Sequence, residues 1–200
     1  MAKFNHMGEA QSIRALAQYT EEIRDRFINL AIKHNINIIT GSMPYVKEDG
    51  GLYNVGFLCR RDGTYEMYEK IHVTPDEVKS WGLSGGKRVQ TFETDCAKIG
   101  VLICYDVEFP ELSRLMADQG MQILFVPFLT DTQNGYSRVR VCAQHVPSKT
   151  NVLWLLPEVW VTFLVCIIWT SSMRSRESLL LVTLPSRPTE NVRKLLRIRK

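Results

Sequence analysis

A chain of 200 residues with 45% hydrophobic and 23% charged side chains can bury a core of its own, which excludes a disordered polyelectrolyte. Five cysteines without CxxC spacing and four scattered histidines exclude a disulfide framework and a zinc site, so no metal or cofactor is expected. A net charge of +4 does not mark a nucleic-acid binder, and without a secretory signal before the first helix a cytoplasmic setting with reduced thiols is expected.

Taken in chain order, residues 8–34 read as a helix, with Ile13, Leu16, Ala17, Ile23, Phe27, Leu30 and Ala31 recurring at three and four. Residues 35–42 read as a strand that ends on a turn at Gly41-Ser42. Leu52 to Cys59 and Tyr65 to Ile71 form a hairpin about Arg61-Asp62-Gly63. Residues 72–87 read as irregular, with Pro75 and the pair Gly85-Gly86. Val89 to Glu93 and Lys98 to Cys104 are strands, the second nearly all apolar and hence central. Pro110 opens a helix, Gly120 closes it, and Ile123 to Pro127 is the next strand. Hairpins followed by a strand-helix-strand crossover predict a layered α/β sandwich with a mixed sheet.

One junction stands out. The apolar run Val101-Leu102-Ile103 ends on Cys104, and a helix start follows at once. Unpaired N–H groups and the helix dipole at such a place favour a thiolate and a developing oxyanion. The alternative is a small core hydrophobe, the usual fate of a buried cysteine.

The segment Cys104-Tyr105-Asp106, with Phe109-Pro110-Glu111, follows Tyr68-Glu69-Lys70-Ile71-His72, Gly41-Ser42 and Tyr53-Asn54. In that order, these motifs resemble the nitrilase, or carbon-nitrogen hydrolase, superfamily over residues 10–144. Thr74-Pro75-Asp76-Glu77 resembles the subgroup often fused to an acetyltransferase-like domain. The resemblance implies an α-β-β-α sandwich and a Glu-Lys-Cys triad. It also implies homodimers or larger assemblies, and amidase or nitrilase chemistry on small amide, nitrile or carbamoyl substrates. By the same resemblance Cys104 is the nucleophile that forms an acyl-enzyme, Lys70 stabilises the oxyanion, and Glu77 is the second, positioning carboxylate. Tyr105 lends its N–H to the oxyanion hole. Asp106 is read as a helix cap, His72 as structural, and Glu108 and Glu111 as acids of a first helical turn. An acyltransferase of the same superfamily, in which an amine replaces water, is the alternative.

The pattern departs from the family at its base. The triad glutamate should come from a strand-turn ahead of the first helix, in a segment like F-P-E, and Glu9, Glu21 and Glu22 do not match it. That glutamate is therefore expected upstream of Met1, and hydrolase activity is expected to be lost.

The chain changes character at Gln144. Residues 1–144 hold 16 Lys and Arg against 18 Asp and Glu, and residues 145–200 hold 9 against 3. All 12 glycines precede residue 145, while three of the four tryptophans follow it. Shifting the reading frame from Gln144 gives plausible codons for A-R-A-I-E-N-E-C-F-V-V-I-A-G-S-V-G-N-L-P, the helix and strand the resemblance implies there. Two steps need no codon choice: Trp160-Val161 must yield Gly and Trp169-Thr170 must yield Asp. Residues 1–144 are thus read as a partial hydrolase domain and 145–200 as a frameshift product. The competing reading is a membrane attachment through residues 152–169, a span of marginal length that Glu158 interrupts.

Overall fold

A computed structural model describes residues 6–130, 132–150, 153–155, 165–169 and 180–183. The first helical stretch is three pieces: α1 (Glu9–Leu16), a 3-10 turn (Ala17–Tyr19) and α2 (Thr20–His34). Acidic Glu21 and Glu22 begin α2 and basic Lys33 and His34 end it, each sign where the helix dipole favours it. Asn35 closes the helix in the left-handed conformation at φ 52° and donates its N–H to Ala31 and Ile32.

The strand β1 (Asn37–Val46) is antiparallel to β2 (Leu52–Cys59), which is antiparallel in turn to β3 (Tyr65–Glu69). β1 does not end on a turn at Gly41-Ser42, as expected from the sequence. It absorbs an irregularity between Ile39 and Ser42 and stays paired as far as Val46 opposite Leu52. The turn lies later, where the Gly51 N–H donates to Asp49 at 2.8 Å.

The stretch expected to be irregular is also ordered. Residues Pro75–Trp81 form α3, and Leu83–Ser84 form β4 beside Leu52–Tyr53 of β2. Thr74 and Glu77 make a reciprocal capping box, Pro75 sits in the first turn, and Gly82 ends the helix at φ 69°. Those start and stop signals fall within a dozen residues, too close together for hydrophobic periodicity to reveal a helix.

The remaining elements are β5 (Thr91–Glu93), β6 (Lys98–Val101), a 3-10 turn (Cys104–Glu108), α4 (Pro110–Asp118), β7 (Ile123–Phe125) and α5 (Gln133–Thr150). Short strands β8 (Leu153–Leu155), β9 (Val165–Trp169) and β10 (Leu180–Thr183) follow. One sheet runs β10-β9-β1-β2-β3 with β4 at its edge, and the other runs β5-β6-β7-β8. The second sheet is mixed: β5–β6 is antiparallel, while β6–β7 and β7–β8 are parallel across α4 and α5.

Three apolar layers hold these parts together. Ile39, Leu58 and Tyr68 of the first sheet meet Phe92, Val101, Ile103 and Phe125 of the second. Phe27 and Ala31 of α2 cover Ile38, Val55 and Phe57 on the outer face of the first sheet. Leu112 and Met116 of α4, with Val139 and Ala143 of α5, cover Leu124 and Val126 on the second. The layers therefore stack α-β-β-α, as the resemblance implied. Each fully buried Leu, Val or Phe in them contributes roughly 1.5–3 kcal/mol relative to exposure.

Helix α5 crosses Gln144 without a break and buries Val146 with Ala143. Of the run 152–169, residues 153–155 and 165–169 are extended, and the others lie outside the described residues. Among the described residues, no helix is long and apolar enough to cross a membrane.

Candidate active site

The site forms where the two sheets meet at the C-terminal end of β6. Past that strand the chain keeps following β7: the Leu102 N–H donates to Phe125 at 3.0 Å and the Cys104 N–H to Pro127 at 2.9 Å. Cys104 then turns sharply, with φ at 50°, a conformation few residues other than glycine adopt. Its thiol is half-buried between the interior of the sandwich and the helical layer. Burial pushes the Cys104 thiol above its ordinary pKa. The Lys70 ammonium pulls it back, the Glu77 carboxylate pushes it up, and the Tyr105 N–H stabilises the thiolate.

Lys70 comes from the other sheet, one residue beyond β3. Its main chain is fixed on both sides: its N–H donates to Asn54 at 2.9 Å, and its carbonyl accepts from Gly86 at 2.8 Å. That return segment passes so close that a Cβ on Gly85 would lie 2.4 Å from the Ile71 carbonyl oxygen. The lysine is only 2% exposed. Its Nζ donates to both carboxylate oxygens of Glu77, at 2.7 and 2.6 Å. Glu77 is held in turn by the capping box of α3, where Oε2 accepts the Thr74 N–H at 2.7 Å. A helix cap and an ion pair thus share one carboxylate.

The structure therefore brings Cys104, Lys70, Glu77 and Tyr105 to one place. Glu9, Glu21 and Glu22, which the sequence reading set aside as the base, lie elsewhere, exposed on α1 and α2. Glu21 accepts from Tyr45 at 3.1 Å, and Glu22 is paired with Arg26. Among the described residues, no group of three or more His, Cys, Asp or Glu is gathered to hold a metal.

Asp106 does more than the sequence reading gave it. It does not cap α4, whose N-cap is Phe109 and has no side-chain cap, but it accepts the N–H of Ile103, the N-cap of the 3-10 turn. Its carboxylate is 1% exposed and accepts three main-chain N–H groups: His72 at 2.6 Å, Ile71 at 3.2 Å and Ile103 at 3.3 Å. Burial pushes its carboxyl above the usual range, and the His72 and Ile71 N–H groups and the Lys70 charge pull it back. The signal in the sequence was an acid placed where the chain on either side is apolar. Glu108 lies in the 3-10 turn rather than a first α-helical turn, 3.4 Å from Arg138, while Glu111 does sit in the first turn of α4. His72 is a packing residue, as expected: its ring stacks on Phe109 with centroids 3.7 Å apart. Tyr105 meets the same Phe109 edge-on at 5.1 Å.

A thiol on a strained turn, facing a buried ammonium that a carboxylate orients, is suited to acyl transfer. Comparison with known proteins gives the family. The family model for carbon-nitrogen hydrolases matches residues 4–156. The chain is 50% identical over 133 residues to a probable hydrolase, YhcX, of Bacillus subtilis (strain 168), covering 66% of this chain and 26% of that protein. It is 41% identical over 106 residues to the omega-amidase NIT2 of Danio rerio, covering 48% and 38%. In structure it resembles Saccharomyces cerevisiae Nit3, a member of branch 10 of the nitrilase superfamily, with a TM-score of 0.60, 26% identity and coverage of 71% and 55%. The chain thus spans only a quarter to about two fifths of the length of these two curated relatives. From the ordered motifs, the four-layer fold and these matches, the chain belongs to the carbon-nitrogen hydrolase family.

Proposed function

We propose that this chain carries the nucleophile and oxyanion side of a site that cleaves a non-peptide C–N bond in small amides, nitriles or carbamoyl compounds. The reading rests above all on the buried Lys70–Glu77 pair acting on the Cys104 thiol across the meeting of two sheets. Cys104 Sγ attacks the substrate carbon and forms a C–S bond, and the displaced electron pair moves onto oxygen or nitrogen. Lys70 Nζ and the Tyr105 N–H stabilise that charge. With an amide, collapse expels the amine with a proton and leaves a thioester on Cys104. A nitrile instead gives a thioimidate, which takes up one water and loses ammonia to reach the same thioester. Water then cleaves the thioester to an acid. Both proton transfers need a carboxylate base. Glu77 is committed to Lys70 and Thr74, and Glu9, Glu21 and Glu22 are exposed on the helices, so no carboxylate of these is available for it. This chain is therefore proposed to be acylated by activated esters and to turn over amides little or not at all. The change of composition at Gln144 supports reading residues 145–200 as an out-of-frame continuation. The coding DNA tests that directly.

An activated ester separates these steps, because its leaving group needs no proton. With p-nitrophenyl acetate, peptide mass mapping is expected to find acetyl on Cys104. Acetylation spread over Cys96 and Cys142 with Cys104 spared would refute the nucleophile. Ammonia released steadily from a simple aliphatic amide would refute the predicted lack of turnover.

A further inference from the structure

The nucleophile and the lysine stand on different sheets, which pack through an apolar layer that includes Tyr68 and Ile103. A polar bridge joins them at the site itself. Lys70 directly follows β3 of the first sheet, while Cys104 follows β6 of the second. Asp106 bridges the two. Its Oδ2 accepts Ile71 N–H at 3.2 Å and Ile103 N–H at 3.3 Å, the residues just after the lysine and just before the cysteine. Its Oδ1 takes His72 N–H at 2.6 Å. One buried carboxylate thus clamps the lysine-bearing and the cysteine-bearing main chains together.

We propose that Asp106 is a positioning residue of the reaction, holding the Lys70 ammonium at the distance from Cys104 Sγ at which it stabilises the oxyanion. The inference rests on the acyl-transfer reading above. Two observations separate this from a general structural role. The imidazole Nδ1 of His72 lies 3.4 Å from Oδ1 without a hydrogen bond, so the carboxylate is spent on main chain. The Lys70 main chain is otherwise tied to Asn54 and Gly86, residues on its own side of the sandwich, and those bonds cannot fix its distance to the other sheet.

Asp106→Asn keeps the shape but turns one oxygen into an NH2 group facing N–H donors. A misplacement of about 1 Å can cost on the order of a hundredfold in rate. The acetylation rate of Cys104 by p-nitrophenyl acetate is therefore expected to fall at least about tenfold, with Cys142 alkylation unchanged. The deciding measurement is a cycle with Lys70→Met. If Asp106 acts through the lysine, the double variant is no slower than Lys70→Met alone, whereas independent effects multiply. Losses that multiply, or an unchanged rate in Asp106→Asn, overturn the proposal. If Asp106→Asn does not fold, hydrogen exchange of the unaltered chain decides. The Ile71, His72 and Ile103 amides are expected to be protected together like strand amides, and fast exchange of Ile71 and His72 alone overturns the clamp. An unaltered chain in which Cys104 resists acetylation overturns the acyl-transfer reading and this role with it. A reactive Cys104 indifferent to Asp106→Asn overturns this role alone.

Discussion

The two ends of the sandwich are both closed by charged groups, yet by opposite means. At the site end, the side chains of Lys70 and Glu77 are 3% and 11% exposed, and Asp106 is 1% exposed. At the far end, Arg61 and Asp95 pair at 2.7 Å with 17% and 46% exposure, and Asn37 donates to Asp95 at 2.6 Å. Both clusters tie the first sheet to the second. Only the exposed one is an inexpensive way to do so, since a buried pair gives back much of its attraction in lost hydration. On the proposed reading, the site end keeps buried charge for its effect on the neighbouring thiol.

The contrast can be broken experimentally. Lys70→Met should cost the most, about 3–5 kcal/mol in urea denaturation, because it strands the Glu77 carboxylate in the interior. Adding Glu77→Leu should recover most of that loss. A double variant as unstable as the single would mean the pair stabilises the fold after all. Gly85→Ala comes next, at about 1–3 kcal/mol, since its Cβ would press on the Ile71 carbonyl at 2.4 Å. A wild-type melting curve for that variant would show the return segment to be loose. Asp95→Asn at the far end should change stability by less than about 1 kcal/mol.

The thiols sharpen the contrast without altering stability. Burial pushes Cys59 up to about 12 although the Arg24 guanidinium pulls the other way. Cys104 is also raised, but Lys70 and the Tyr105 N–H oppose the shift. As pH rises above the ordinary thiol range, iodoacetamide should modify Cys104 well before Cys59. Lys70→Met should move the Cys104 profile to higher pH. A profile that stays put would show that the ammonium does not act on the sulfur.

Much of this was legible in the sequence wherever a single segment carried the signal. The apolar run into Cys104, the crossover through α4 and the Tyr-Glu-Lys strand each follow from local pattern, and the α-β-β-α order follows from the resemblance they carry together. The extension of β1 was not legible, because pairing with β2 overrides the turn propensity of Gly41-Ser42. Helix α3 escaped because two turns are too short for a period, although its Thr74–Glu77 box and Gly82 were in plain view. Asp106 escaped for a deeper reason. Two of its three partners are main-chain N–H groups more than thirty residues away, and a backbone donor leaves no residue type behind to be read.

The left-handed turn at Cys104 has a further consequence for how this position can vary. A side chain there works against roughly 1–2 kcal/mol of steric strain that glycine escapes. Cys104→Gly should therefore leave the fold as stable or more so, while abolishing the nucleophile. A chain drifting toward stability alone would settle on glycine at 104. On the proposed reading, the sulfur stands at 104 for its chemistry.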